Sequence, residues 1–356
     1  MRQIVSLIIL LSAIAVSAQN KIAFAKLEKK ADGIYYYENA PYTGETLLLW
    51  PSNNKYMQRV NWKAGQIDGL FESWYEDGKR DQIIGYKAGV RHGEFKTFYD
   101  NGAPEVQCRY QNGVLDGGYM SYERSGAPMK KVTFVNGKEE GPFVIYHTNA
   151  KKEQVGTYKN GKPEGLVTSF DRDGNKRKEI YYKNGLRHGS STLYHISGTV
   201  AETADFVDGF AEGEKRVYTL EGKLFLLENY KNGKLEGERV TYTMNGAPLE
   251  ISNYKDGLLH GEYKLYKAEG LDTYGSYENG KKTGPWVEHK YNEGGADIGS
   301  YTNGLKNGYW ELGASNLFGK CKGEFIDNIK HGKWEYWKHD GSKWKTVRWD
   351  HGVIVK

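Results

Sequence analysis

Four of the nine histidines, His92, His188, His260 and His331, occupy one recurring slot immediately before a glycine. Imidazoles held beside carboxylates could act as general bases or bind zinc. The composition of the slot argues against both. In equivalent places along the chain it is filled by Asp68, Asp116, Glu140, Glu164, Glu212, Glu236, Thr283 and Asn307. A slot open to all of these reads as a solvated turn position, and no second ligand recurs beside it at a fixed spacing. Cys108 and Cys321 are the only thiols, and neither belongs to a C-x-x-C pair. Nucleophile elbows, phosphate loops and zinc-helix motifs are missing from the sequence. The reading is therefore of a non-enzyme, with no catalytic residue, no cofactor and no metal site.

Aromatic rings offer a different chemistry. Trp286, Trp310, Trp334, Trp337 and Trp344 crowd the C-terminal part of the chain together with Tyr291. Indole and phenol rings at regular spacing can stack sugar rings or anchor a protein partner. These six residues form the candidate binding surface.

The aromatics belong to a repeat. Taking as position zero the aromatic residue before an Asn/Asp-Gly pair gives Trp62, Tyr86, Tyr110, Phe134, Tyr158, Tyr182, Phe206, Tyr230, Tyr254, Tyr277, Tyr301, Phe325 and Trp349. The spacing is 24 residues, apart from one step of 23. Glycine recurs at position three, at position seven of every full repeat, and at position sixteen of most. The histidine slot is position six.

Such punctuation leaves no room for a helix, since glycine interrupts every eight or nine residues. Asn-Gly favours a two-residue hairpin turn because both residues tolerate positive φ. Segments such as Glu238 to Thr243 and Leu249 to Tyr254 then read as strands. The expected fold is all-β: an elongated single-layer antiparallel β-meander solenoid of about 12–13 tandem 24-residue β-hairpin repeats. At roughly 4.8 Å per strand, Cys108 and Cys321 would lie on the order of 80–90 Å apart, so two free thiols are expected. The core would be a stack of the aromatics at positions zero, nine and twelve. Positions nine and twelve have opposite strand parity. Either a bulge separates them or both sheet faces carry aromatics.

The N-terminus differs in kind. Arg2 precedes an apolar run from Ile4 to Val16, and Val16-Ser17-Ala18 offers small residues before Gln19. The run is short for a membrane span and reads as a cleaved signal peptide over residues 1–18. A secreted, periplasmic or outer-membrane-associated protein is expected. Residues 19–36 read as a linker or cap, 37–61 as a degenerate first repeat, 62–348 as twelve repeats and 349–356 as a truncated last one. The formal net charge of +5 is interspersed and gives no basic field for nucleic acid. From Lys267 to Gly319 the pattern slips, with odd segments at Asn292 to Asp297 and Gly313 to Phe318. Loops on repeat arrays are where binding sites vary.

Repeats such as Tyr86-Lys87-Ala88-Gly89-Val90-Arg91-His92-Gly93-Glu94-Phe95 resemble the MORN repeat in its bacterial variant form. The resemblance runs from about residue 35 to the C-terminus. It implies a scaffold, a membrane-associated module or a partner-binding array, and some bacterial relatives carry an antitoxin label. The expected function is a non-catalytic extracytoplasmic scaffold binding a protein partner through its aromatic sheet. Glycan and cell-wall binding or membrane association are the rivals.

Overall fold

The computed structural model describes residues 21–268, 270–289, 295–315 and 317–355. The proposed signal peptide lies outside the described residues, as does Tyr291. The chain divides between Lys162 and Pro163 into two compact bodies. Both are antiparallel meanders of hairpins, as the glycine spacing predicts.

In the N-terminal body, strands such as Gln66–Trp74, Arg80–Lys87, Val90–Phe98 and Pro104–Gln111 each pair with the next. The hairpin turns are built as the Asn-Gly signal requires. Asn112 and Gly113 have φ of 50° and 83°. Ala88 occupies the same left-handed site at 48°, a strained conformation for a residue with a Cβ. The position-three amide then reaches back one repeat, with Gly113 N donating to Arg91 O at 2.8 Å. Successive turns are thereby tied in register.

Position seven makes a second device. Ile84 pairs with Phe95 but Tyr86 pairs with Arg91, so His92-Gly93-Glu94 bulge against Gly85. Gly93, at φ 88°, carries that bulge. Between positions nine and twelve, Phe95 to Phe98 carries no extra residue; the irregularity falls on the partner strand, between Pro104 and Val106. Positions nine and twelve therefore lie on opposite faces, and both faces carry aromatics. On one face Phe95 meets Tyr110 edge-on at 5.5 Å. On the other, Trp74 stacks beneath Arg59 and Arg80, which also bind the buried Glu72 carboxylate. Burial pushes that carboxyl up, yet the two guanidinium groups outweigh it and hold it below the ordinary range.

The segment read as a linker or cap is structured. Lys21–Ala23 adds a parallel strand to Gly44–Leu49. Phe24 and Tyr35 then cover Trp62, whose indole N–H donates to Thr46 Oγ1 at 2.8 Å. The first repeat's open end is thus closed by side chains from a segment that lacks the repeat pattern.

The C-terminal body continues the same meander, from Lys176–Lys183 and Leu186–Tyr194 to Lys343–Asp350 and Val353–Ile354. Its main core cluster is Trp286, Tyr301, Trp310, Cys321, Phe325, Trp334 and Tyr336. Cys108 and Cys321 are both buried, and neither forms a disulfide. Burial pushes the Cys108 thiol up to about 11.

The deepest position in both bodies is one that the sequence reading passed over: two residues before position zero. Val60, Ile84, Cys108, Val132, Ile180, Ala204, Glu228 and Ser252 all stand there, and all are buried. Their partners across the sheet are the position-nine residues, for example Cys108 opposite Phe95 and Ile180 opposite Val167. Sizes trade off between the two. Where position nine is Trp286, Trp310 or Trp334, the residue two before position zero is Gly275, Gly299 or Gly323, and a Cβ there would fall 2.1–2.5 Å from the indole.

The expected aromatic stack does not run through the whole core. Between Glu202 and Glu250 it is replaced by alternating charges. Lys215 Nζ lies 3.3 Å from Glu202 and 3.9 Å from Glu228. Arg239 bonds Glu228 at 3.2 Å and Glu250 at 3.4 Å. Lys215 and Arg239 occupy position nine, where the other repeats with large side chains place Phe, Tyr or Trp.

Burial also raises the titration of core phenols in each body. It pushes Tyr158 and Tyr277 up, and Tyr230 and Tyr263 up to about 12. The fold favours the neutral phenol, so this stability is whole below the ordinary tyrosine pKa of about 10. It should be lost as pH rises towards about 12. The expected result is a falling urea midpoint across that alkaline window, with phenolate absorbance appearing in step with unfolding. Free titration of all tyrosines near their ordinary pKa in the folded state would contradict the burial.

Candidate interaction surface

The six residues picked out as a binding surface do not form one. Trp286, Trp310 and Trp334 are 1%, 0% and 0% exposed and belong to the core. The reason is the glycine opposite each, which leaves a slot that only a flat ring fills. Each indole N–H is spent on a strand carbonyl, of Ser276, Ser300 and Glu324, at 3.0–3.1 Å. A lysine from position five covers each ring: Lys282, Lys306 and Lys330 lie 4.2–4.3 Å from the centroids. Those faces are closed to a sugar ring.

Trp337 is half-buried, with the ammonium groups of Lys320 and Lys322 each 5.2 Å from its ring. Together with Ala296, Leu312, Gly313 and Cys321 it borders a shallow cavity of about 390 Å³ in the irregular stretch. Trp344 alone of the described five is exposed, at 47%, and Lys345 lies over it.

The position-six slot has a structural duty that explains its composition. Most of these side chains, though not His331, accept the backbone N–H of position two in the following repeat. Glu140 takes Asn160 N and Glu164 takes Asn184 N, both at 2.8 Å. His92 Nδ1 takes Asn112 N at 3.4 Å, and Asn307 Oδ1 takes Asp327 N at 3.1 Å. Asp, Glu, Asn and neutral His share an acceptor, which is what the turn amide requires. The sequence signal was present in the choice of residue types.

A recurrent row of exposed apolar side chains lies elsewhere, at position four on the turn edge. In the C-terminal body these are Leu186, Phe210, Leu258, Leu305, Ile329 and Val353, with Phe210 61% exposed. Lys234 and Lys281 interrupt the row. Val90 and Val114 form its counterpart in the N-terminal body. Members of the row lie along the next turn: Phe210 sits against Gly233 and Ile329 against Gly352, where an added Cβ would meet them at 3.1–3.2 Å. The row is therefore placed by the turn glycines. Its members recur about every 10 Å, two strands apart.

Glycine-turned hairpins in tandem, tied by position-three amides and position-six acceptors, define a β-hairpin repeat scaffold. Residues 67–88, 91–112 and 163–184 match the MORN repeat variant. These three matches support a MORN-type repeat array. No curated protein matches it. The crystal structures of TcdB2-TccC3-Cdc42 and of TcdB2-TccC3 align at 10% identity over 86% of this chain, with TM-scores of 0.15 and 0.14. The aligned region covers 20% and 19% of those chains, so this protein spans about a fifth of their length. Scores of that size do not define a common fold.

Proposed function

We propose that this protein is a non-catalytic, extracytoplasmic scaffold that holds a protein partner along the position-four edge. The observation that carries the reading is the row Leu186, Phe210, Leu258, Leu305, Ile329 and Val353, exposed at one repeat position while Trp286, Trp310 and Trp334 are internal. Apolar residues scattered singly need no explanation, but a recurrent row of them is what a binding surface looks like. Repetition suits such binding because contact area accumulates with copy number. The extracytoplasmic assignment rests on the apolar run from Ile4 to Val16.

The test is a cross-linking capture from envelope and culture fractions, comparing the wild-type chain with a Phe210→Glu, Leu258→Glu double variant. These exposed positions should tolerate the change within about 0.5 kcal/mol each. The captured protein should be lost, with binding weakened on the order of a hundredfold by removal of two apolar anchors. Equal capture by both forms would overturn the reading.

A further inference from the structure

We propose that His331, Asp350 and His351 form a binding site for a divalent transition-metal ion of the zinc type, clipping the last hairpin of the chain. One ligand atom from each lies within 4.8 Å of the others, and this is the one such trio among the described residues. His351 Nδ1 lies 2.7 Å from Asp350 Oδ1, and His331 Nδ1 lies 3.6 Å from the same oxygen. The two imidazole rings are 5.3 Å apart. Donors about 2.0–2.2 Å from one tetrahedral zinc stand roughly 3.3–3.6 Å from one another, so small side-chain rotations complete the set.

His331 supplies an independent observation. At position six the other histidines turn Nδ1 to a backbone amide of the next repeat, as His92 does to Asn112 N. His331 Nδ1 is enclosed and has no hydrogen-bond partner. A buried ring nitrogen left without one is costly, and a metal bond would satisfy it. Two imidazoles and one carboxylate suit zinc and its neighbours, whereas calcium and magnesium take oxygen ligands. Asp350 and His351 are exposed, which leaves room for water in a fourth position.

The placement gives the ion work to do. His331 belongs to the strand Ile329–Trp337 and Asp350 to Lys343–Asp350, while His351 sits in the terminal turn at φ 43°. The final hairpin is short: Trp349 pairs with Ile354 and Asp350 with Val353, and Val355 N donates to Arg348 O at 2.8 Å. A metal bridging turn and neighbouring strand would hold that end.

The test uses the chain without a polyhistidine tag, titrated with zinc chloride by calorimetry and with cobalt chloride by visible absorption. One ion per chain is expected, with a cobalt d–d band. His331→Gln, Asp350→Asn and His351→Gln should each weaken binding at least about tenfold. His339→Gln, at an exposed site outside the trio, should leave it unchanged. In the wild-type chain, zinc should shift the imidazole NMR signals of His331 and His351 alone among the nine histidines. The proposal is overturned by no binding, by binding that survives the three variants, or by shifts confined to other histidines.

Discussion

Trp310→Ala should destabilise the C-terminal body by about 3–5 kcal/mol, the cost of emptying a filled aromatic site. Trp310 is fully buried, donates to Ser300 O, meets Tyr301 and Phe325 edge-on, and carries Lys306 on its face. Truncation removes all of these and opens a slot floored by Gly299. For a body of this size the melting temperature should fall by roughly 6–20 °C. Trp344→Ala, at an exposed site, should cost under about 0.5 kcal/mol. The glycine opposite gives a second handle. Gly299→Ala places a Cβ 2.1 Å from the indole, so Trp310 must move. That should cost about 1–3 kcal/mol, and combining it with Trp310→Leu should cost less than the two single changes together. Urea denaturation followed by circular dichroism measures the cycle. Strict additivity would mean that ring and glycine do not share one slot.

This pairing shows where the sequence was legible and where it was not. The turns could be read because a left-handed backbone admits few residue types, so Asn112-Gly113 and its copies advertise themselves. The inner face could not be read as easily. Its deepest position holds Val60, Cys108, Ala204, Glu228, Ser252 and Gly299, which share no hydropathy. What that position conserves is volume complementarity with the position-nine side chains on its two neighbouring strands, a property of residues eleven or thirteen apart. The tryptophans misled for the same reason: Trp286, Trp310 and Trp334 looked like an exposed ladder until the glycines facing them were placed. Position six was half-legible. Its tolerance of Asp, Glu, Asn and His was read as indifference, when it marks a hydrogen-bond acceptor for the next turn.

The charged stretch from Glu202 to Glu250 carries the other large effect, and its sign depends on how many charges are removed. Glu228 is the hub: it faces Lys215 and Arg239 and accepts the Tyr230 hydroxyl at 3.0 Å. Glu228→Gln leaves two cations in the core without their shared anion. Breaking a fully buried pair costs about 3–5 kcal/mol, but these side chains keep some access to water, so about 2 kcal/mol is the expected loss. Replacing the hub and both cations together should behave differently. Lys215→Phe, Glu228→Val and Arg239→Phe, with Glu202→Gln and Glu250→Gln so that neither carboxylate is left without its cation, builds in this stretch the file seen at Tyr119, Val132 and Phe143. Apolar replacement of an internal ion network is commonly neutral or stabilising, by about 1–4 kcal/mol. This combined variant should therefore melt at or above the wild-type temperature, and its stability should respond less to added salt. Losing more stability than Glu228→Gln alone would mean that the ion ladder, rather than hairpin packing, holds these repeats together. The ladder would then mark the only stretch of the described core where charge has taken over the work of the aromatic rings.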